Sequence, residues 1–286
     1  MKMILCRPLQ LGMPEKEKPG DTTQFLQRMD GELLGWERPA ARLREALDYD
    51  HFRLYAQPIL SLRPENPAPE GIALAEVLVR LREEETLLLP PGDFLPAFEH
   101  YGMMSELDRW VVRNAVRRLG QGGRVGRLSV NISGQTMEAP DFAAFVAVQL
   151  RLAALDPASL VIEIDENDAI DRREAAERFA AEMKGIGCGL LLDSFARRSV
   201  SFELLKALRV DYVKVDGSII RNILRSGSAA TKLKAILRVG QVTGVKVIAE
   251  CVEDAKILAS LKLLKVDYAQ GFGLRKPEPI EDLLKS

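Results

Sequence analysis

Seven strand-like runs of this chain end on, or just before, a side chain able to ligate a cation or handle a proton: Glu76, Asn131, Glu163, Asp193, Lys214, Glu250 and Gln270. The most informative run is CGLLLDSFARRS, from Cys188 to Ser199, where small and apolar residues lead straight into a carboxylate and a hydroxyl. A short continuous apolar run next to glycine reads as a strand buried on both faces. A carboxylate at its end is costly there unless it is paired or bound to metal. The plainer alternative is that Asp193 or Ser194 caps the helix that follows. Each of the seven, taken alone, has an equally plain reading as a salt bridge or a cap. Seven of them offered to one mouth do not. Four carboxylates and two amides form an oxygen-rich cage suited to a hard divalent cation. Lys214 adds a positive charge that can orient a water or steady an anion. That is the chemistry of gripping or hydrolysing a phosphate ester.

Convergence needs a fold that gathers strand ends. Strands are predicted over Phe52–Leu60, Ile72–Leu81, Leu128–Ser133, Leu160–Asp165, the run into Asp193, Tyr212–Asp216, Lys246–Val252 and Tyr268–Leu274. Helices are predicted over Pro39–Leu47, Pro91–Glu99, Ser105–Leu119, Phe142–Leu155, Arg172–Lys184, Ala229–Val242 and Ala255–Leu264. The third of these is expected to open on a Ser105…Asp108 capping pattern, and Gly185 and Gly187 to end the fifth. Strands mostly alternating with helices predict an α/β fold of the (β/α)₈ barrel kind, with its active site at the carboxyl ends of the strands. A Pro-rich loop from Arg63 to Glu70 joins the first two strands without a helix, so the barrel should begin irregularly. Residues 1–39 read as a leader, partly helical over Thr23–Leu34, and residues 40–286 as the barrel domain.

Composition narrows the partners. The net charge is −1 over 286 residues, so no global basic field draws nucleic acid or an anionic membrane. Arg113, Arg117 and Arg118 cluster at helical spacing and read as a solvated face. No apolar run approaches the ~20 residues of a membrane-spanning helix, and the apolar part of the first residues is too short for a secretory signal. Three scattered cysteines point to a reducing compartment, hence a cytoplasmic location. With two histidines, His51 and His100, any metal must be held by oxygen: Mg²⁺, Mn²⁺ or Ca²⁺.

The ordered series AQPI (56–59), AEVLVRL (75–81), VNIS (130–133), EIDEN (163–167), LLDSFA (191–196), VKVD (213–216), AECVE (249–253) and AQGF (269–272) resembles the EAL domain family. The resemblance covers residues 40 to 282 and implies a modified, TIM-like (β/α)₈ barrel that binds cyclic di-GMP and, in active members, hydrolyses it. By position it implies Glu76, Asn131, Glu163 and Asp193 as ligands of a Mg²⁺ or Mn²⁺ ion. Lys214, Glu250 and Glu253 take catalytic positions, and Gln57, Leu78, Arg80, Asn131 and Gln270 take ligand-binding ones. It also implies a homodimer and an association with GGDEF, PAS or other signalling domains.

The departures are specific. Active members carry two adjacent Asp followed by Phe-Gly-Thr-Gly; here the second Asp is Ser194 and the loop reads Ala196-Arg197-Arg198. A neutral Ser194 should weaken a second metal site unless water or Asp165 compensates, and the lost glycines remove conformations that other residues disfavour. The signature Ala is Val77, and the Gly of the seventh-strand motif is Cys251. Three functions follow as expectations: a receptor for cyclic di-GMP with little or no hydrolysis, an active metal-dependent phosphodiesterase releasing linear pGpG, or a nucleotide-independent interaction scaffold.

Overall fold

The computed structural model describes residues 38–63, 72–82, 88–197 and 202–285. The helix expected over Thr23–Leu34 and most of the Pro-rich loop lie outside them. In chain order the elements are α1 (Pro39–Asp48), β1 (Phe52–Ser61), β2 (Ile72–Arg82), β3 (Leu88–Leu89), α2 (Pro91–His100), α3 (Met104–Leu119), β4 (Leu128–Ile132), α4 (Gly134–Met137) and α5 (Phe142–Leu152). They continue as β5 (Leu160–Asp165), α6 (Glu166–Asp171), α7 (Arg173–Ile186), β6 (Gly189–Phe195), α8 (Phe202–Leu208), β7 (Tyr212–Val215) and α9 (Gly217–Asn222). The last are α10 (Gly227–Thr243), β8 (Lys246–Ala249), α11 (Ala255–Leu263), β9 (Tyr268–Ala269), β10 (Glu278–Pro279) and α12 (Ile280–Lys285).

Two compact units divide the described residues. The smaller holds those of 1–53 and 79–104. In it, Leu43 and Ala46 bury one face of α1, and Phe52, Phe94 and Phe98 form a cluster with ring centroids about 6 Å apart. The second unit, 54–78 and 105–286, is the barrel. Parallel strands run β2-β4-β5-β6-β7-β8-β9, and β1 pairs both β9 and β2, closing the sheet. The β1–β9 pairing is antiparallel, with Leu60 opposite Ala269, so the barrel opens irregularly, as expected. Ile59, Leu74, Val161, Leu191, Tyr212, Ile248 and Tyr268 fill one layer of the interior. The predicted fold class holds.

Several boundaries differ from expectation, each for a local reason. The seventh predicted strand stops at Ala249 because the chain turns at Cys251, whose φ is +55°. The eighth is two residues long, since Gly271 lies against the Val252 backbone, where any Cβ would stand 2.2 Å from its atoms. The helix expected from Arg172 begins earlier as the separate turn α6, and α7 runs on to a left-handed Gly187. Ser105 and Asp108 do not form a capping pair, because α3 starts at Met104 and the Asp108 carboxylate turns inward.

Asp108 is 4% exposed and accepts from the Ser133 amide at 2.9 Å, the Ser133 hydroxyl at 2.8 Å and the Thr136 hydroxyl at 2.6 Å. It therefore ties α3 to the turn that follows Asn131. Burial pushes its carboxyl up to about 6 despite those donors. A carboxyl raised on folding contributes stability that is full below its ordinary value of 3.8 and lost as pH rises through 6. The unfolding free energy of the wild type relative to Asp108→Asn should accordingly fall by up to about 3 kcal/mol between pH 4 and 7. Urea titrations of both proteins across that range check this, and a flat difference refutes it.

Candidate functional site

Glu76 from the middle of β2 meets Asn131, Glu163, Asp193 and Lys214 from the later parts of β4, β5, β6 and β7, and Glu250 and Gln270 join them just after β8 and β9. Lys214 of β7 is 2% exposed and stands at the centre. Its ammonium donates to Glu163 and to Glu76 (3.1 Å), and Asp193 lies at 3.7 Å. Asn131 Nδ2 donates to Glu76 Oε1 at 3.0 Å and Gln270 Nε2 to Glu76 Oε2 at 2.7 Å. Gln270 Nε2 also reaches Gln57 Oε1 at 3.3 Å, and Gln57 Nε2 donates to the Arg275 carbonyl at 3.0 Å. Glu250 accepts from the Gly217 amide at 2.5 Å.

Register explains the convergence. Asn131 of β4 stands beside Glu163 of β5, and Asp165 beside Asp193 of β6. Between β6 and β7 the register shifts: Leu192 pairs Val213 but Phe195 pairs Val215, so Asp193 and Ser194 together oppose Lys214. This is a β-bulge, with Ser194 in the left-handed region at φ +54°. It aims Asp193 at the lysine. Among the described residues neither Asp193 nor Ser194 caps a helix, the next one there being Phe202–Leu208. Capping falls to Asp165, which accepts from the Asn167 amide at 2.7 Å, and to Asp216, which accepts from the Ser218 amide at 2.9 Å. The carboxylate expected to compensate for Ser194 is thus already engaged.

The charges do not balance. Burial pushes Glu76 up, but the Lys214 charge and the donors from Gln270 and Asn131 outweigh it and hold the group below the usual carboxylate range. Burial and repulsion from Glu76 hold Glu163 well above that range. Burial likewise raises Asp193 against the pull of Lys214, and lifts Glu250 to about 8 with help from Asp193. Lys214 is held well above its ordinary value: burial would lower it, but Asp193, Glu163 and Glu76 raise it more. Glu163 Oε2 and Asp193 Oδ1 are buried without a hydrogen-bond partner. Two carboxylate oxygens without a hydrogen bond are donors of the kind a hard cation takes. Among the described residues no three acidic, thiol or imidazole groups converge on a common ligand point; three carboxylates surround the ammonium of Lys214 instead.

Other expected residues lie apart from this cage. Glu253 is exposed, beyond the turn at Cys251. Leu78 is half-buried and shares a face of β2 with Glu76. Arg80 is in the smaller unit, half-buried, with its guanidinium donating to the Val79 carbonyl at 2.9 Å. Residues 40–277 match the EAL domain model.

The chain belongs to the EAL domain family. Its relatives include the cyclic di-GMP phosphodiesterases PdeF of Escherichia coli and PdeB of Shewanella oneidensis, each 29% identical, over 85% and 84% of this chain. The EAL chain spans only about a third of their length, 32% and 28%. Among solved structures it is similar to the FimX EAL domain of Pseudomonas aeruginosa bound to c-di-GMP, with 29% identity and a TM-score of 0.77 over 87% of this chain and 99% of that one. Among the described residues of this EAL chain, no helix is long and apolar enough to cross a membrane.

Sequence reasoning missed Glu166. It is 2% exposed, and burial raises its carboxyl to about 7 against the opposing amides of Ala196 and Arg197. Lys232 donates to the Ala196 carbonyl. Glu166 and Lys232 thus both meet the backbone just after β6, where Ala196 sits at φ +65°, a conformation glycine would adopt without strain. The clue was the acidic density of EIDEND, which the strand-end pattern alone did not separate.

Proposed function

We propose that this EAL domain binds cyclic di-GMP at the barrel mouth as a receptor, with little or no hydrolysis. The observation carrying this reading is Ser194, a neutral hydroxyl beside an otherwise intact set of polar groups. Gln57, Gln270 and Asn131 present amides to a polar ligand, and Lys214 offsets its negative charge. The family resemblance gives Leu78 and Arg80 their ligand-binding roles, and an arginine can fork onto a phosphate as lysine cannot. Glu76, Asn131, Glu163 and Asp193 would hold a Mg²⁺ or Mn²⁺ ion, which when bound would polarise the phosphodiester and acidify a water. Lys214 would orient that water beside Glu250, which is protonated below about 8, and the family resemblance gives Glu253 a further catalytic position. Ser194 supplies no anion for a second ion. The orphaned oxygens of Glu163 and Asp193 favour the second reading, an active phosphodiesterase. The odd, scattered cysteines support a cytoplasmic setting; a homodimer and a GGDEF, PAS or other signalling partner complete the proposal.

Calorimetric titration of cyclic di-GMP into the protein with EDTA present is the test. Saturable binding of one nucleotide per chain is expected, weakened about tenfold or more by Arg80→Ala. Absence of binding both in EDTA and with Mn²⁺ would favour a scaffold. Linearisation of the nucleotide with Mn²⁺ at the rate of the active relatives would establish the phosphodiesterase instead.

A further inference from the structure

Helix α5 is apolar nearly all the way round: within Phe142–Leu152 only Gln149 and Arg151 are polar. A helix of that composition is normally buried on every side. Phe142, Val146 and Leu150 do face the core, yet Val148 and Leu152, one turn apart, are exposed, Leu152 at 76%. Beside them a groove of about 450 Å³ runs between α5 and α3, with Arg113 and Arg117 on one wall and Leu152 and Gln149 on the other.

The charge on the α3 wall is one-sided. From Arg109 to Arg127 the chain carries six arginines and no acidic residue, in a protein of net charge −1. Arg109 reaches Asp141 at 2.6 Å, Arg118 reaches Glu281 at 2.5 Å, and Arg127 donates to the Tyr212 hydroxyl at 3.0 Å. Arg113 and Arg117 are both exposed, and the groups they meet are neutral: the Phe145 ring 5.8 Å away and Asn114 Oδ1 at 2.7 Å. Neither has a carboxylate partner among the described residues. The dipole of α3 accounts for an arginine in its last turn. It does not account for Arg113 in mid-helix, nor for a bare Leu152.

Helix α3 leads into β4 and α5 leads into β5, so their carboxyl ends lie at the amino ends of the strands. The groove is therefore on the opposite end of the barrel from the polar mouth. We infer that it docks an acidic amphipathic helix of a partner protein. The partner's apolar side chains cover Val148 and Leu152, and its carboxylates fork onto Arg113 and Arg117. A nucleic-acid backbone would use the arginines but leave the apolar strip bare. Docking at this end leaves the mouth open to its ligand.

The probe is a labelled peptide of about 18 residues, long enough to be helical, with leucines at i, i+3, i+4 and i+7 flanked by glutamates. A counterpart with lysine for every glutamate serves as control. Saturable binding of the acidic peptide alone is expected in fluorescence anisotropy, falling as salt rises. The doubly reversed Arg113→Glu/Arg117→Glu variant and Leu152→Glu should each weaken it about tenfold or more. All three positions are exposed, so the variants should keep the wild-type thermal midpoint. No saturable binding, equal binding of the lysine peptide, or binding indifferent to these substitutions overturns the inference. Self-association abolished by Leu152→Glu also overturns it, assigning the face to a second copy of this chain.

Discussion

Lys214→Ala should lower the unfolding free energy by roughly 3–5 kcal/mol, the range seen when one partner of a buried ion pair is removed. Three carboxylates lie within 4 Å of its ammonium, and the side chain is 2% exposed. Without it, Glu76, Glu163 and Asp193 face one another with no cation among them. They respond by holding protons more tightly, so the penalty depends on pH. Glu163 and Asp193 already sit above their ordinary values in the fold. An acid raised on folding stabilises the fold below its unfolded value and loses that contribution as pH rises. The loss in Lys214→Ala should therefore grow from pH 5 to pH 8. Urea midpoints at the two pH values measure it, with Lys214→Met separating the missing charge from the missing volume. A loss under about 1 kcal/mol, or one that ignores pH, would show that the cage does not depend on this charge.

The second large effect concerns Ser194. In Ser194→Asp, Mn²⁺-dependent linearisation of cyclic di-GMP should rise by about 100-fold or more, on the order of 2.7 kcal/mol of barrier. Aspartate tolerates the left-handed backbone there, at φ +54°, better than most side chains. The same change adds a carboxylate to a mouth already short of cations, so the metal-free variant should also be less stable than the wild type. Adding Ala196→Gly relieves the φ of +65° and should recover up to about 1 kcal/mol. Chromatographic separation of linear from cyclic nucleotide reads the activity. A Ser194→Asp protein no faster than the wild type would mean that something other than this hydroxyl limits turnover.

Much of the mouth was legible because barrel chemistry is written at strand ends. An apolar run needs a reason to finish on Glu163 or Asp193, and repetition of the same anomaly along the chain supplied one. Glu76, Asn131, Glu163, Asp193, Lys214, Glu250 and Gln270 do gather as that pattern required. An irregular opening was legible too, from a Pro-rich sequence between the first strands that reads as a loop; that it takes the form of an antiparallel β1–β9 pair was not. Helix ends were less so. Asp108 looked like the partner of Ser105 in a cap, and only the packing of α3 shows it reaching Ser133 and Thr136.

What the sequence determined by itself was the barrel, its family and the identity of the polar residues at its mouth, because periodicity and ordered motifs are local properties that survive without coordinates. Tertiary structure alone decided how those residues share charge. The bulge that turns Asp193 toward Lys214 is a mismatch of one residue between two strands, and neither strand records it separately. The burial that raises Glu163 and Glu250 while Glu76 falls depends on distances between residues as far apart in the chain as Glu76 and Gln270. The bare strip on α5 was equally hidden, since an apolar helix in sequence does not say which of its faces the fold leaves uncovered.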